Sequence, residues 1–218
     1  MGHPDGRHRF FMPTSSLDEQ LFAAAQSFAR STPWLHGPAV AFATYGVLLF
    51  GGLALWVLLR ARHAVDRDLA AAGWVALGTL VAVAVNQPVA ALFGEARPYR
   101  THPGALLLVP RTSDVSFPSD HATMAGAVAV GLLIAAPRIG RWAVAAALAM
   151  AVTRVYVGAH YPQDVLAGLL FGGLVAGAGW LLLRRPLTVL TGWLRDRAGI
   201  RTVFPPPMLA AADHRVRG

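Results

Sequence analysis

Apolar residues fill this chain in blocks of about 17 to 25 residues, and short polar stretches separate the blocks. A helix of that length crosses the hydrocarbon core of a bilayer. The pattern predicts five such helices, over residues 38–59, 69–93, 119–137, 142–157 and 163–183. We therefore expect an all-α fold, a polytopic membrane helix bundle of five spans, with six as the alternative count.

Residues 15–31 have apolar side chains at helical spacing but too many polar ones to span a bilayer. Ser16 is the predicted N-cap, and Glu19 three residues later would complete a capping box. We expect an amphipathic helix in the membrane interface. The predicted organisation is an N-terminal arm with this helix (1–37), a membrane domain (38–185) and a basic tail (186–218), helical to about residue 199 and mostly unstructured beyond it.

The composition supports a membrane protein, since 55% of the 218 residues are hydrophobic and only 14% are charged. The formal net charge is +8, and every basic residue is arginine. Most arginines flank the apolar blocks, where they would meet lipid headgroups. The sequence does not show the basic, aromatic-interleaved pattern that is typical of single-strand nucleic-acid binding. Cysteine is absent, which excludes disulfides, thiolate metal sites and a cysteine nucleophile.

The distribution of arginine predicts the orientation in the plasma membrane. Twelve of the 19 arginines lie in the loop after the first predicted span, the turn after the third and the C-terminal tail. By the positive-inside rule, the C-terminus is then cytoplasmic. Five spans place the N-terminus and the loops at 94–118 and 158–162 on the extracytoplasmic face.

Three stretches of ionisable residues lie at the edges of the apolar blocks, at residues 95–98, 116–121 and 153–164. Charged groups next to hydrocarbon cost free energy, so such residues are functional candidates. All three stretches fall in loops that the predicted topology places on one face of the membrane. Their arginines, histidines and aspartate suit the binding and transfer of a phosphoryl group.

The third stretch offers a histidine nucleophile. Gly158 would end the preceding helix and let the chain turn, which brings Arg154 and His160 together. Asp164, four residues after His160, could accept a hydrogen bond from one ring nitrogen and leave the other free to attack. The simpler alternative is a loop histidine hydrogen-bonded to a helix-capping aspartate.

The first two stretches offer phosphate ligands and an acid. Ser119 fits the N-cap of a helix whose free amides would bind phosphate, and His121 in the first turn could protonate a leaving oxygen. Arg97 presents a planar fork of donors. A plain cap and a snorkelling arginine are the alternatives. We expect no metal or other cofactor, because there is no carboxylate cluster. A metal site of His121, His160 and Asp164 is disfavoured by the nearby arginines.

Together the three stretches resemble the type 2 phosphatidic acid phosphatase (PAP2) superfamily, across about residues 40–185. Its pattern is Lys-x6-Arg-Pro, Pro-Ser-Gly-His and Ser-Arg-x5-His-x3-Asp. The chain has Arg97-Pro98, Pro118-Ser119-Asp120-His121 and Thr153-Arg154-x5-His160-x3-Asp164. The resemblance implies that His160 is a phosphohistidine nucleophile, Asp164 its orienting partner and His121 the general acid, with Arg97, Ser119 and Arg154 as phosphate ligands.

Three positions depart from the family pattern. Ala90 stands where the family has lysine, and Arg100 is the candidate to replace that phosphate contact. Asp120 replaces glycine and would place a carboxylate beside the phosphate site, while Thr153 replaces serine.

The second motif, together with the missing lysine, resembles the bacterial branch that dephosphorylates undecaprenyl diphosphate. That resemblance implies a lipid diphosphate substrate in the bilayer and says nothing about the oligomeric state. Phosphatidate, phosphatidylglycerophosphate and prenyl-phosphosugars are the alternative substrates. A transporter of anionic lipid, favoured by the break at Asn86-Gln87-Pro88, would have no use for a His-Asp pair. A vanadium haloperoxidase, the other branch of the family, would be soluble.

Overall fold

The computed structural model describes residues 15–197 and residue 205. This part of the chain is helical and contains no β-strand. A one-turn 3-10 helix at Pro33–Leu35 accompanies seven α-helices. These are α1 (Ser16–Ser31), α2 (His36–Ala61), α3 (Asp66–Phe93), α4 (Pro98–Thr101), α5 (Asp120–Ala135), α6 (Pro137–Tyr156) and α7 (Pro162–Asp196).

Three segments are long and apolar enough to cross a membrane: Pro33–Ala61, Asp66–Thr101 and Pro162–Asp196. The helix α5 is apolar but only 16 residues long, and α6 is not among the candidate spans of the described residues. The all-α class is confirmed, and the count of five spans stays a prediction.

The N-terminal helix begins as predicted within one residue. Ser15, not Ser16, is the N-cap, and its hydroxyl accepts a hydrogen bond from the Asp18 amide at 3.1 Å. The two serines are adjacent, so the local pattern could not choose between them. The inner face of α1 buries Asp18, Phe22, Gln26 and Ala29, whereas Leu17, Leu21 and Phe28 face outward.

The centre of the bundle is α5, which packs against α3, α6 and α7. Small residues allow a close approach to α7. A Cβ on Gly172 would collide with the Thr123 carbonyl oxygen, and one on Gly168 would lie 2.6 Å from the Ser119 carbonyl oxygen. The beginnings of α5 and α7 therefore lie side by side, at what we call the motif end of the bundle.

The last helix is longer than the predicted fifth span. It continues through Pro186 to Asp196, so the predicted boundary at residue 185 falls inside a helix. Near its end, the buried Arg195 guanidinium donates to Asp66 Oδ1 at 2.7 Å and to the Arg62 carbonyl at 2.9 Å. This ion pair fixes the end of α7 against the start of α3. The predicted unstructured part of the tail lies outside the described residues, apart from residue 205.

Two loops close the motif end. The segment after α3 contains α4 and is tied to the turn between α6 and α7 by a hydrogen bond from the Leu108 amide to the Val157 carbonyl, 3.0 Å. In that turn Gly158 has φ +76°, a left-handed conformation that favours glycine, and it ends α6 as predicted.

Candidate active site

The three motif stretches meet at the motif end of the bundle. Arg97 Nη1 lies 3.0 Å from His160 Nε2, which joins the first and third stretches. The Ser119 amide donates to the Asp164 carbonyl at 3.0 Å, which joins the second and third. The Ser116 amide donates to the Glu95 carbonyl at 2.8 Å and joins the first and second.

His160 is buried in the turn between α6 and α7, and its contacts define its tautomer. A guanidinium can only donate, so Nε2 accepts from Arg97 and the ring proton is on Nδ1. Nδ1 lies 3.0 Å from the Ser116 carbonyl oxygen and 3.4 Å from Asp164 Oδ2. The carbonyl is thus the nearer acceptor. Nε2 keeps the lone pair that a nucleophile needs.

Asp164 supports the His160 ring indirectly, through Ser116 and Tyr161. Its Oδ2 accepts from the Ser116 hydroxyl and from the Tyr161 amide, the latter at 2.8 Å. The carboxylate therefore fixes the turn around His160 and provides negative charge near Nδ1. Ser116 was not assigned a role from the sequence, because its contribution depends on where its carbonyl points after folding.

Burial lowers the pKa of His160 to about 4. The nearby Asp164 carboxylate opposes this shift, and the charges of Arg154 and Arg97 add to it. The imidazole is therefore neutral at pH 7, which is the form that can attack an electrophile.

Two buried arginines give the site its positive charge. Arg97 donates from Nε to the Asp114 carbonyl at 3.2 Å and from Nη1 to the Ala159 carbonyl at 3.3 Å, which holds its guanidinium beside His160. Arg154, in the last turn of α6, has a buried Nε without an acceptor. Within residues 15–197, the nearest carboxylate to either is that of the exposed Asp114, 4.0 Å from Arg97. Buried guanidiniums without close counter-charges can bind an anion.

The start of α5 adds further groups that could bind an anion. Ser119 is the N-cap as predicted, but its buried hydroxyl makes no capping bond and has no partner. The first helical bond is from the Thr123 amide to the Ser119 carbonyl, so the three preceding amides have no partner within the helix. His121 lies in this first turn and interacts electrostatically with Arg154, His160 and Arg97.

Two other residues predicted to lie at the phosphate site, Arg100 and Asp120, contact different groups. Arg100 is exposed and donates to the Thr112 carbonyl at 2.7 Å. Asp120 Oδ1 accepts from the side-chain amides of Asn86 at 2.7 Å and Gln87 at 3.0 Å, so it links α5 to α3.

Asn86 was missed as a site residue. It is fully buried, and its amide also donates to the Pro118 carbonyl at 3.1 Å, so it holds the second stretch against α3. A polar residue inside an apolar span was the sequence signal for it.

No group of three or more His, Asp or Glu side chains able to hold a metal ion occurs in the described part of the chain.

Two relatives are similar to this chain in sequence. Undecaprenyl-diphosphatase BcrC of Bacillus subtilis is 27% identical over 168 residues, which cover 77% of this chain and 83% of BcrC. Lipid A 1-phosphatase of Rhizobium etli is 35% identical over 135 residues, 58% of each chain.

The fold also has a solved counterpart. The crystal structure of Aquifex aeolicus LpxE matches with a TM-score of 0.64 and 22% identity, over 79% of this chain and 99% of LpxE. A family model described as the PAP2 superfamily matches residues 71–186, which include all three motif stretches. The resemblance inferred from the motifs is therefore confirmed, and with it the class of phosphoric ester hydrolase. The chain belongs to the PAP2 superfamily.

Proposed function

We propose that this protein is a membrane lipid phosphatase that removes the terminal phosphate of undecaprenyl diphosphate through a phosphohistidine on His160. The observation that carries the proposal is the neutral, buried His160, whose Nε2 lone pair faces Arg97 among polar groups that lack protein partners. A phosphoryl group would supply those partners.

The terminal phosphate would take the place of the imidazole in the contact with Arg97. Its oxygens would accept hydrogen bonds from Arg97, Arg154 and Ser119 and from the free amides of α5. The incoming negative charge would offset the two guanidiniums that face His121, which favours a proton on that imidazole.

The reaction would have two steps. In the first, Nε2 of His160 forms a bond to phosphorus, the bond from phosphorus to the bridging oxygen breaks, and His121 gives its proton to the lipid phosphate that leaves. In the second, water attacks phosphorus, the bond to Nε2 breaks, and neutral His121 takes the proton of the water. Inorganic phosphate then leaves, and His160 and His121 return to their starting states.

The choice of lipid rests on the relatives. BcrC aligns over most of both chains, whereas lipid A 1-phosphatase aligns over 58% of each at higher identity. The longer alignment supports undecaprenyl diphosphate, and the higher identity makes a phosphorylated glycolipid the second candidate. Phosphatidate, phosphatidylglycerophosphate and prenyl-phosphosugars belong in the same substrate panel.

The proposed arrangement has five spans, with residues 38–185 as the catalytic membrane domain. The active site and the N-terminal arm (1–37) would be extracytoplasmic and the tail (186–218) cytoplasmic. The excess of arginine in the loops and tail at the opposite end supports this orientation.

The experiment is phosphate release from undecaprenyl diphosphate in detergent by wild type and His160→Ala, alongside the other lipids. We expect the highest kcat/KM for undecaprenyl diphosphate and no turnover of any lipid by the variant. Equal rates for the two proteins would contradict the role of His160. A preference for another lipid would change only the substrate.

A further inference from the structure

Gln163, the residue directly before Asp164, is held from two sides. Its backbone amide donates to Asp18 Oδ1 of α1 at 2.7 Å. Its side-chain amide donates to Glu95 Oε1, in the segment before α4, at 2.9 Å. Because Gln163 is the second residue of α7, Asp18 serves as a helix cap supplied by another part of the chain.

The burial of the Asp18 and Glu95 carboxylates costs folding free energy. Asp18 is 4% exposed and Glu95 6%, and each has a second oxygen that is buried without a partner. No arginine or histidine of the described residues forms an ion pair with either, and the Asp164 carboxylate interacts electrostatically with both. Buried carboxylates without counter-ions destabilise a protein, so their presence here calls for a functional reason.

Glu95 also connects Gln163 to the rest of the site. Its carbonyl accepts from the Ser116 amide, and Ser116 in turn contacts both His160 and Asp164. Two residues further along the chain, Arg97 contacts His160 Nε2. A shift of Glu95 or Gln163 would therefore move the groups on both sides of the His160 ring.

Further polar contacts fix α1 against the loop that follows α4. The Gln26 side chain accepts from the Leu106 amide at 2.6 Å and donates to the Leu106 carbonyl at 3.3 Å. Arg30 donates to the Gly104 carbonyl at 2.5 Å. These directional bonds set the position of α1, and hence of Asp18, along the bundle.

We propose that Asp18 and Glu95 are positioning residues that hold Gln163, and through it the His160–Asp164 turn, in the geometry for attack. Helix α1, which lies outside the family match at 71–186, is then part of the catalytic unit. The inference rests on the proposed function in one respect, that His160 is the nucleophile.

The experiment compares Asp18→Ala and Glu95→Ala with the amide variants Asp18→Asn and Glu95→Gln, in the full-length protein, with undecaprenyl diphosphate as substrate. We expect kcat in the alanine variants to fall by about ten- to a hundredfold, with KM nearly unchanged. The amide variants keep an oxygen that can accept from Gln163, so their kcat should stay within about threefold of wild type. The matched control is Gln20→Ala, an exposed position on the same helix.

The pH profile separates positioning from a general loss of folded protein. His160 faces Arg97, Arg154, His121 and Asp164, and burial sets its low pKa. A loosened turn admits water, which should raise that pKa and move the acidic limb of kcat/KM to higher pH in the alanine variants only. A smaller amount of folded enzyme would lower the rate at every pH without moving the limb.

Each outcome decides the matter. Alanine variants that match wild type in kcat, or that lose rate without a shift of the acidic limb, would overturn the positioning role. Amide variants as slow as the alanine variants would also overturn it, because they keep the oxygen that accepts from Gln163. Retained activity in His160→Ala would instead reject the proposed function itself.

Discussion

Both ends of the bundle bury arginine side chains, and Arg154 at the motif end differs in its partners from Arg195 at the opposite end. At the motif end, Arg154 is 8% exposed, and no carboxylate of the described residues forms an ion pair with it. At the opposite end, Arg195 is 4% exposed and donates to Asp66 and to the Arg62 carbonyl. A buried guanidinium that is paired with a carboxylate has its charge balanced within the protein, so a structural role accounts for it. A buried guanidinium without a carboxylate is available to an anionic ligand.

The same substitution at each arginine tests that difference, and the largest effect is expected for Arg154→Gln. Loss of this proposed phosphate ligand should lower kcat/KM about a thousandfold. The midpoint of thermal unfolding should not fall, because the change removes a buried charge that repels Arg97. Hydrolysis and thermal unfolding in the same detergent measure the two quantities. A large loss of stability with normal kcat/KM would place Arg154 among the structural residues.

A second prediction concerns the stability of the motif end in acid. The pKa of folded His160 is about 4, below the ordinary 6.5, so the unfolded chain binds more protons between these values. Stability therefore falls as the pH drops from 6.5 towards 4, by about 2 kcal/mol at pH 4.5.

His160→Gln removes this titration and should lose less stability over the same interval. The measurement is the unfolding midpoint of both proteins at pH 7 and pH 4.5. Equal losses in the two proteins would mean that His160 is not held neutral by burial.

At the opposite end, Arg195→Gln should act on stability alone. Breaking the bond to Asp66 should cost about 1–3 kcal/mol, less than for a fully buried pair because Asp66 is 39% exposed. The kcat/KM of the folded enzyme should stay within about threefold of wild type. Asp66→Asn breaks the same bond from the other side. The double variant should therefore lose less stability than the sum of the losses in the two single variants. A fall in kcat/KM comparable to that of Arg154→Gln would remove the distinction between the two ends.

The smallest effect is expected from Ser116→Ala, which removes the hydroxyl bond to Asp164 but keeps the carbonyl at His160 Nδ1. We expect kcat to fall about tenfold, the value of one hydrogen bond. A loss as large as that in His160→Ala would mean that the hydroxyl itself takes part in the reaction.

The features predicted from sequence are those that depend on neighbouring residues. The N-cap at Ser119 and the helix end at Gly158 both follow local rules. So do the apolar blocks that became the long helices. The motif order then identified the family, because it fixes residue types at set spacings.

The features that escaped prediction join residues far apart in the chain. The ion pair of Arg195 and Asp66 spans 129 positions. The hydrogen bond from the Gln163 amide to Asp18 spans 145 positions. The role of Ser116 depends on a backbone carbonyl, which any residue type provides. No periodicity in the sequence indicates such contacts.

The most direct measurement of the central claim is a rapid-quench experiment with substrate labelled in the terminal phosphate. Wild type should carry acid-labile, base-stable phosphate on His160 during turnover, and His160→Gln should carry none. Turnover by wild type without any labelled protein at the shortest times, together with continued hydrolysis by the variant, would contradict a covalent histidine mechanism.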